Sequence, residues 1–127
     1  MSDRNMHHAL LIDDEPEICL LLSYMLRRVG ADCVFAHSVA EGRQALEHGR
    51  FDVVFMDVHL PDGLGYELVP CIRSLDQGTR TIAISALDNE GPRALAAGAD
   101  LFIPKPFDRA TILSSISDLG LGVRSTH

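Results

Sequence analysis

The sequence predicts an α/β fold, a single doubly wound five-stranded parallel sheet of order 2-1-3-4-5 with five helices over its two faces. Three observations predict it. Short apolar runs of strand length alternate with stretches of helical periodicity, and the links between them are too short for strand hairpins. Finally, four of the five apolar runs end at a chemically active side chain, namely Asp13, Asp57, Ser85 and Lys105.

Ala9 to Ile12 is a short apolar run that ends in Asp13, Asp14 and Glu15. Pro16 favours a helix start, and Ile18, Leu21, Leu22, Met25, Leu26 and Val29 recur at helical spacing until Gly30. Ala31 to Ala36 reads as the second strand, carrying Val34 and Phe35. Ser38 with Glu41 is a capping-box signature for a second helix that ends near Gly49 and turns Val39, Ala45 and Leu46 inward. Val53 to Met56 forms the third strand. It stops at Asp57, where Pro61, Asp62, Gly63 and Gly65 force a turn. A third helix carries Leu68, Val69, Ile72 and Leu75, and Pro70, tolerable only in a first turn, puts its start near Glu67. Thr81 to Ser85 is the fourth strand. Pro92 opens a short helix through Ala94, Leu95, Ala96 and Ala97 that closes at Gly98. Leu101 to Ile103 is the fifth strand, followed by Pro104, Lys105 and Pro106, and Asp108 caps a last helix with Ile112, Leu113, Ile116 and Leu119.

A chain of 127 residues, 46% of them hydrophobic, fits one domain, 1–127, with its core at about 9–119 and with 1–8 and 120–127 as flexible ends. The net charge of -7, without any Lys/Arg-rich run, argues against a phosphate-backbone binding face, so no direct nucleic-acid partner is expected. Cys19, Cys33 and Cys71 lack metal-type spacing and lie in apolar or periodic segments, as free thiols in a reducing, cytoplasmic compartment do. No apolar stretch is long enough to span a membrane, and the start has no secretory layout. His7 and His8 point to opposite faces of an extended segment and make a poor chelate.

In open α/β sheets ligands bind at the carboxyl ends of the strands, where the strand order reverses. The order 2-1-3-4-5 sets the first and third strands side by side there, so Asp13, Asp14 and Asp57 converge. Such carboxylates repel one another unless a hard cation sits among them, and oxygen ligands at a half-open, wet site suit Mg²⁺, with Mn²⁺ as the alternative. Ser85 and Lys105 occupy two further strand tips on the same edge, a hydroxyl and a cation that a phosphoryl group would use. A plainer explanation of Asp13 to Glu15 is that acids favour the positive end of the first helix.

Four stretches, LLIDDEP, VVFMDVHLPDG, TIAISA and GADLFIPKPF, carry a resemblance that runs from Ala9 to about Leu119. In this order and at these intervals the chain resembles the receiver domain of two-component response regulators, the chemotaxis-regulator-like superfamily with a flavodoxin-like three-layer sandwich. The resemblance implies that Asp57 is the phosphoacceptor, loaded by a histidine kinase or a histidine phosphotransfer protein. It implies that Asp13 and Asp14 hold Mg²⁺ with the Asp57 carboxylate and the backbone carbonyl of His59, and that Ser85 and Lys105 bind the phosphoryl oxygens. A switch through Ser85 and Phe102, a cis Lys105–Pro106 peptide, slow self-dephosphorylation without other turnover, and an unidentified downstream protein complete the set. Phosphorylation-dependent homodimerisation is an open option.

Some positions depart from the commonest family pattern. His59 replaces more usual residues after the acceptor, and with only its carbonyl engaged its imidazole is free to face solvent or the phosphoryl group. The interval from Ser85 to Lys105 is short for the family, which trims the fourth helix and alters the output face built from the fourth helix, fifth strand and fifth helix. Phe102 lacks the hydroxyl of a tyrosine. The lead Met1 to His8 slightly favours a free-standing regulator, while GLGVRSTH fits either a terminus or a linker.

Two rival readings use the same acids or topology. A Mg²⁺-dependent phosphohydrolase with an aspartyl-phosphate intermediate needs a substrate pocket and lid that the short loops do not supply. A flavodoxin-like cofactor binder needs a Gly/Ser/Thr phosphate loop, whereas the first turn here is IDDEPE, which repels anions unless metal is bound.

Overall fold

The computed structural model describes residues 4–122. The strands β1 (His8–Ile12), β2 (Asp32–Ala36), β3 (Val53–Asp57), β4 (Arg80–Ser85) and β5 (Leu101–Pro104) form one parallel sheet in the order β2-β1-β3-β4-β5. Its helices are α1 (Pro16–Arg27), α2 (Val39–His48), α3 (Val69–Leu75), α4 (Gly91–Ala96) and α5 (Arg109–Asp118). This is the order the sequence predicts, with β1 and β3 adjacent at the point where the winding reverses.

The strand period of two splits the apolar side chains between two cores. Leu11, Phe55, Ile82, Ile84 and Ile103 point to the side of α1 and α5, where Leu22, Leu26, Ile112 and Ile116 meet them. Leu10, Ile12, Val54, Met56 and Ala83 point to the other side, against Leu46, Leu68, Ile72 and Ala94. Both faces are covered, so β3 reads as a continuous apolar run and is buried along its whole length. Each of the fully buried large side chains, such as Leu10, Phe55 and Ile82, contributes about 1.5–3 kcal/mol by leaving water.

Several expectations are corrected. Leu21 is 42% exposed and Leu95 is also exposed, because the helices turn a narrower stripe inward than periodicity alone implies. The third helix does not begin at Glu67: a 3₁₀ turn over Gly65–Leu68 precedes α3, and Pro70 sits within the first turn of α3. The capping box of α2 is half formed. Ser38 accepts from the Glu41 N–H at 3.1 Å, but the Glu41 carboxylate accepts from the His37 N–H at 2.9 Å instead of from its own cap. One short hairpin exists after all, His59–Leu60 against Gly63–Leu64.

The segments expected as flexible ends are partly ordered. Arg4–Asn5 pairs in parallel with Leu121–Gly122, and Met6 and Leu121 are buried in the core on the α1 and α5 side. A polar lead and a Gly-rich tail hide this in the sequence, because the two apolar residues that anchor it are isolated. Residues 1–3 and 123–127 of the expected ends lie outside the described residues. No helix of the described residues is long and apolar enough to cross a membrane.

Candidate functional site

β1 and β3 run in register, Ile12 beside Met56, so the next residues of the two strands, Asp13 and Asp57, leave the sheet as neighbours. The Asp13 N–H donates to the Ala36 carbonyl at 3.0 Å, which holds the turn in line with the sheet. Its Oδ1 accepts from the Glu15 N–H at 2.9 Å, leaving Oδ2 pointed at Lys105. Beyond Asp57, the Val58 N–H donates to the Ile84 carbonyl at 2.9 Å and the Gly65 N–H to the Val58 carbonyl at 2.8 Å, closing the loop back on the strand. A side chain at Gly65 would strike the Asp57 carbonyl oxygen, so this close return requires glycine. Asp62 fastens the far end of the loop, accepting from the Val39 and Ala40 N–H groups at 2.7 and 3.0 Å at the start of α2.

Lys105 arrives from β5. Its N–H donates to the Ser85 carbonyl at 2.8 Å, and the Lys105–Pro106 peptide is cis, as the resemblance implies. Its Nζ lies 2.9 Å from Asp13 Oδ2, 3.1 Å from Glu15 Oε1 and 3.4 Å from Asp57 Oδ2. Asp13, Asp57 and Lys105 therefore share one hollow, and Asp57 keeps a narrow opening to solvent at 7% exposure. Ser85 stands at the tip of β4, one residue beyond the partner of Asp57, with its hydroxyl oxygen accepting from the Leu87 N–H at 3.1 Å. Phe102 is half-buried against Gly91 and the core on the α3 and α4 side.

Burial pushes the Asp57 carboxyl up to about 6, helped by the charge of Asp13 and opposed by Lys105. For Lys105, burial works against the charge, but contacts with Asp13, Glu15 and Asp57 outweigh it and hold the ammonium above the ordinary lysine range. Burial likewise drives the Cys19 thiol, beside the Asp13 carbonyl, up to about 11, which makes it a packing residue and not a nucleophile.

Asp13, Asp14, Glu15 and Asp57 each offer a carboxylate oxygen, and these atoms all lie within 4.8 Å of one another. An all-oxygen, acidic donor set with two buried and two exposed members fits a hard divalent cation that keeps part of its water shell. The plainer explanation of the acidic turn as a helix-end device does not account for Asp13 and Glu15, whose carboxylates engage Lys105.

Two residues outside the sequence-based set belong to this site. Glu15 lay within the acidic run but carried no separate signal as a partner of Lys105. Glu90 had no local signal at all, yet its Oε1 lies 3.1 Å from His59 Nε2. The imidazole of His59 is thus not free, as expected from the sequence, but is held by a buried acid.

A family model described as the response regulator receiver domain matches residues 9–117. Over 102 residues the chain is 39% identical to the response regulator protein PilR of Pseudomonas aeruginosa, covering 79% of this chain and 23% of PilR. It is 32% identical to the transcriptional regulatory protein TrcR of Mycobacterium tuberculosis, covering 99% of this chain and 49% of TrcR. Among solved structures, the response regulator TrrA of Thermotoga maritima, in complex with Mg²⁺ and a beryllium fluoride, superposes with a TM-score of 0.80 at 26% identity. That match covers 90% of this chain and 99% of TrrA. The chain thus spans between about a quarter and a half of the length of these two curated relatives.

Proposed function

The chain belongs to the response regulator receiver domain family, and we propose that Asp57 is its phosphoacceptor, loaded by the phosphohistidine of a histidine kinase or a histidine phosphotransfer protein. One observation carries this reading: Lys105 reaches both Asp13 and Asp57 in a single acidic hollow at the carboxyl edge of the sheet. A carboxylate oxygen of Asp57 forms the new O–P bond as the donor's N–P bond breaks, and the electron pair leaves with the imidazole. Asp57 titrates at about 6, so it is mostly ionised at neutral pH and needs no general base. In this reading Lys105 and the Ser85 hydroxyl take the phosphoryl oxygens, and an ammonium held beside Asp57 stabilises the charge that spreads over them. Mg²⁺, or Mn²⁺ in its place, would be held by Asp13, Asp14, Asp57 and the His59 carbonyl, and when bound supplies further neutralisation of that charge.

Beside the acidic hollow, and sharing Glu15 and Lys105 with it, is a groove of about 350 Å³ lined also by Ile18, Leu21, Ala86, Pro106 and Phe107. Leu20 and Tyr24 of the same helix α1 are also exposed. A donor protein that must bring a phosphohistidine to Asp57 has this groove to rest on, and buried apolar area there would supply its affinity. The output is a downstream protein engaged when Ser85 and Phe102 reposition, with homodimerisation as one form of it, in a cytoplasmic setting. Turnover is limited to the chain's own phosphoryl group. The test is incubation with acetyl phosphate and Mg²⁺ followed by intact mass. One added phosphoryl is expected in the wild type and none in Asp57→Asn or in EDTA; labelling of Asp57→Asn to the same extent would refute the assignment.

A further inference from the structure

Glu90 is a buried acid that the acceptor chemistry leaves unused. It immediately precedes α4 and is 7% exposed. Its Oε1 meets His59 Nε2 at 3.1 Å, and its Oε2 has no hydrogen-bond partner among the described residues. The contact joins a carboxylate oxygen to a ring nitrogen across two separate segments of the chain. A buried carboxylate with so few partners is costly, and it stays in place because its neighbours over-determine it. The Glu90 N–H donates to the Leu87 carbonyl at 3.1 Å, and the Leu87 N–H donates to the Ser85 hydroxyl oxygen at 3.1 Å. Gly91 lies flat on Phe102, where an added Cβ would come 3.1 Å from the ring. Hydrogen bonds thus run from the tip of β4 through the turn to Glu90 and across to the loop that follows Asp57.

We propose that Glu90 is a positioning residue which, through the His59 imidazole, latches the loop after Asp57 to the Ser85–Glu90 segment while Asp57 is unphosphorylated. The inference rests on Asp57 being the phosphoacceptor. A phosphoryl group on Asp57 recruits the Ser85 hydroxyl, and a shift of Ser85 pulls on Leu87 and Glu90, which are tied to it in series. The His59 contact opposes that shift. Removing it leaves the occupied arrangement less to overcome, so the site binds a phosphoryl mimic more tightly. Phe102, on β5 and packed against Gly91, feels the same movement and carries the change into that strand.

The test is a double-mutant cycle of His59→Ala and Glu90→Ala, read as the affinity of the Mg²⁺-loaded protein for beryllofluoride by titration calorimetry. Each single variant is expected to bind about fivefold more tightly, the worth of one hydrogen bond, and the double variant no more tightly than either. Glu90→Gln, which keeps an acceptor oxygen for the imidazole, is expected to restore wild-type affinity. Wild-type affinity in a folded Glu90→Ala, or effects that simply add in the double variant, would overturn the latch. Should Glu90→Ala not fold, His59→Ala, whose side chain is half exposed, carries the same expectation alone. A wild type that binds no beryllofluoride overturns the acceptor assignment and the latch together, whereas a binding wild type with unresponsive variants overturns the latch only.

Discussion

Lys105 Nζ lies 2.9 Å from Oδ2 of Asp13, an ion pair between a half-buried lysine and a buried acid from opposite ends of the chain. In the metal-free protein this ammonium is the counter-charge for Asp13 and Asp57 together. Removing one partner of a buried pair typically costs about 3–5 kcal/mol, because it strands the other charge. Lys105→Ala is therefore expected to melt well below the wild type in EDTA. Mg²⁺ should recover more of the loss in the variant than it adds to the wild type, since the acids then have no competing cation. Thermal melts with and without Mg²⁺ measure this, and an equal Mg²⁺ shift in both proteins would count against a shared hollow.

The elevated value of Asp57 has a consequence for stability against pH. The folded state holds this proton up to about pH 6, while the unfolded chain releases it near 3.8. Between those values the folded state binds more protons than the unfolded one, so the group's contribution falls as pH rises from about 4 to 6 and stays low above it. In metal-free protein, Asp57→Asn is expected to be more stable than the wild type at neutral pH, by an amount on the order of 1–3 kcal/mol. The gap should close as pH approaches 4. Denaturant titrations of both proteins across this range check the sign, and a gap that widens on acidification would contradict it.

Gly65 is fixed by a collision and not by torsional freedom, since an added Cβ would strike the Asp57 carbonyl oxygen. Gly65→Ala must push the loop off the strand end, at about 1–3 kcal/mol as for other overpacked sites. Both melting temperature and the rate of labelling by acetyl phosphate are expected to drop, the second because Asp57 itself is displaced. An alanine variant with wild-type labelling would show that the loop can yield without disturbing Asp57.

How much of this was legible in the sequence depended on range. The fold and the four active strand tips rest on short-range signals. An apolar run that stops at an acid, a hydroxyl or a lysine marks Asp13, Asp57, Ser85 and Lys105, and strand order alone brings the first two together. The Asp108 cap, which accepts from the Thr111 N–H at 2.8 Å, is equally local. Contacts between separate segments left no such mark. Nothing near Glu90 announces His59, and the acidic turn did not single out Glu15 as a ligand of Lys105. Leu21 fits the helical period yet faces out, because periodicity cannot say how wide a stripe the sheet will cover. Met6, alone in a polar lead, and Leu121, set between two glycines, are buried where the two ends of the described chain meet.

The central claim is that residue 57 takes the phosphoryl group, and it is tested most directly by locating that group. After labelling with acetyl phosphate and Mg²⁺, borohydride reduction converts an aspartyl phosphate to homoserine, and peptide mapping finds the altered residue. Conversion at Asp57 alone is expected. Conversion at Asp13 or Asp14, or a label that resists borohydride because it sits on a hydroxyl or an imidazole, would contradict the account.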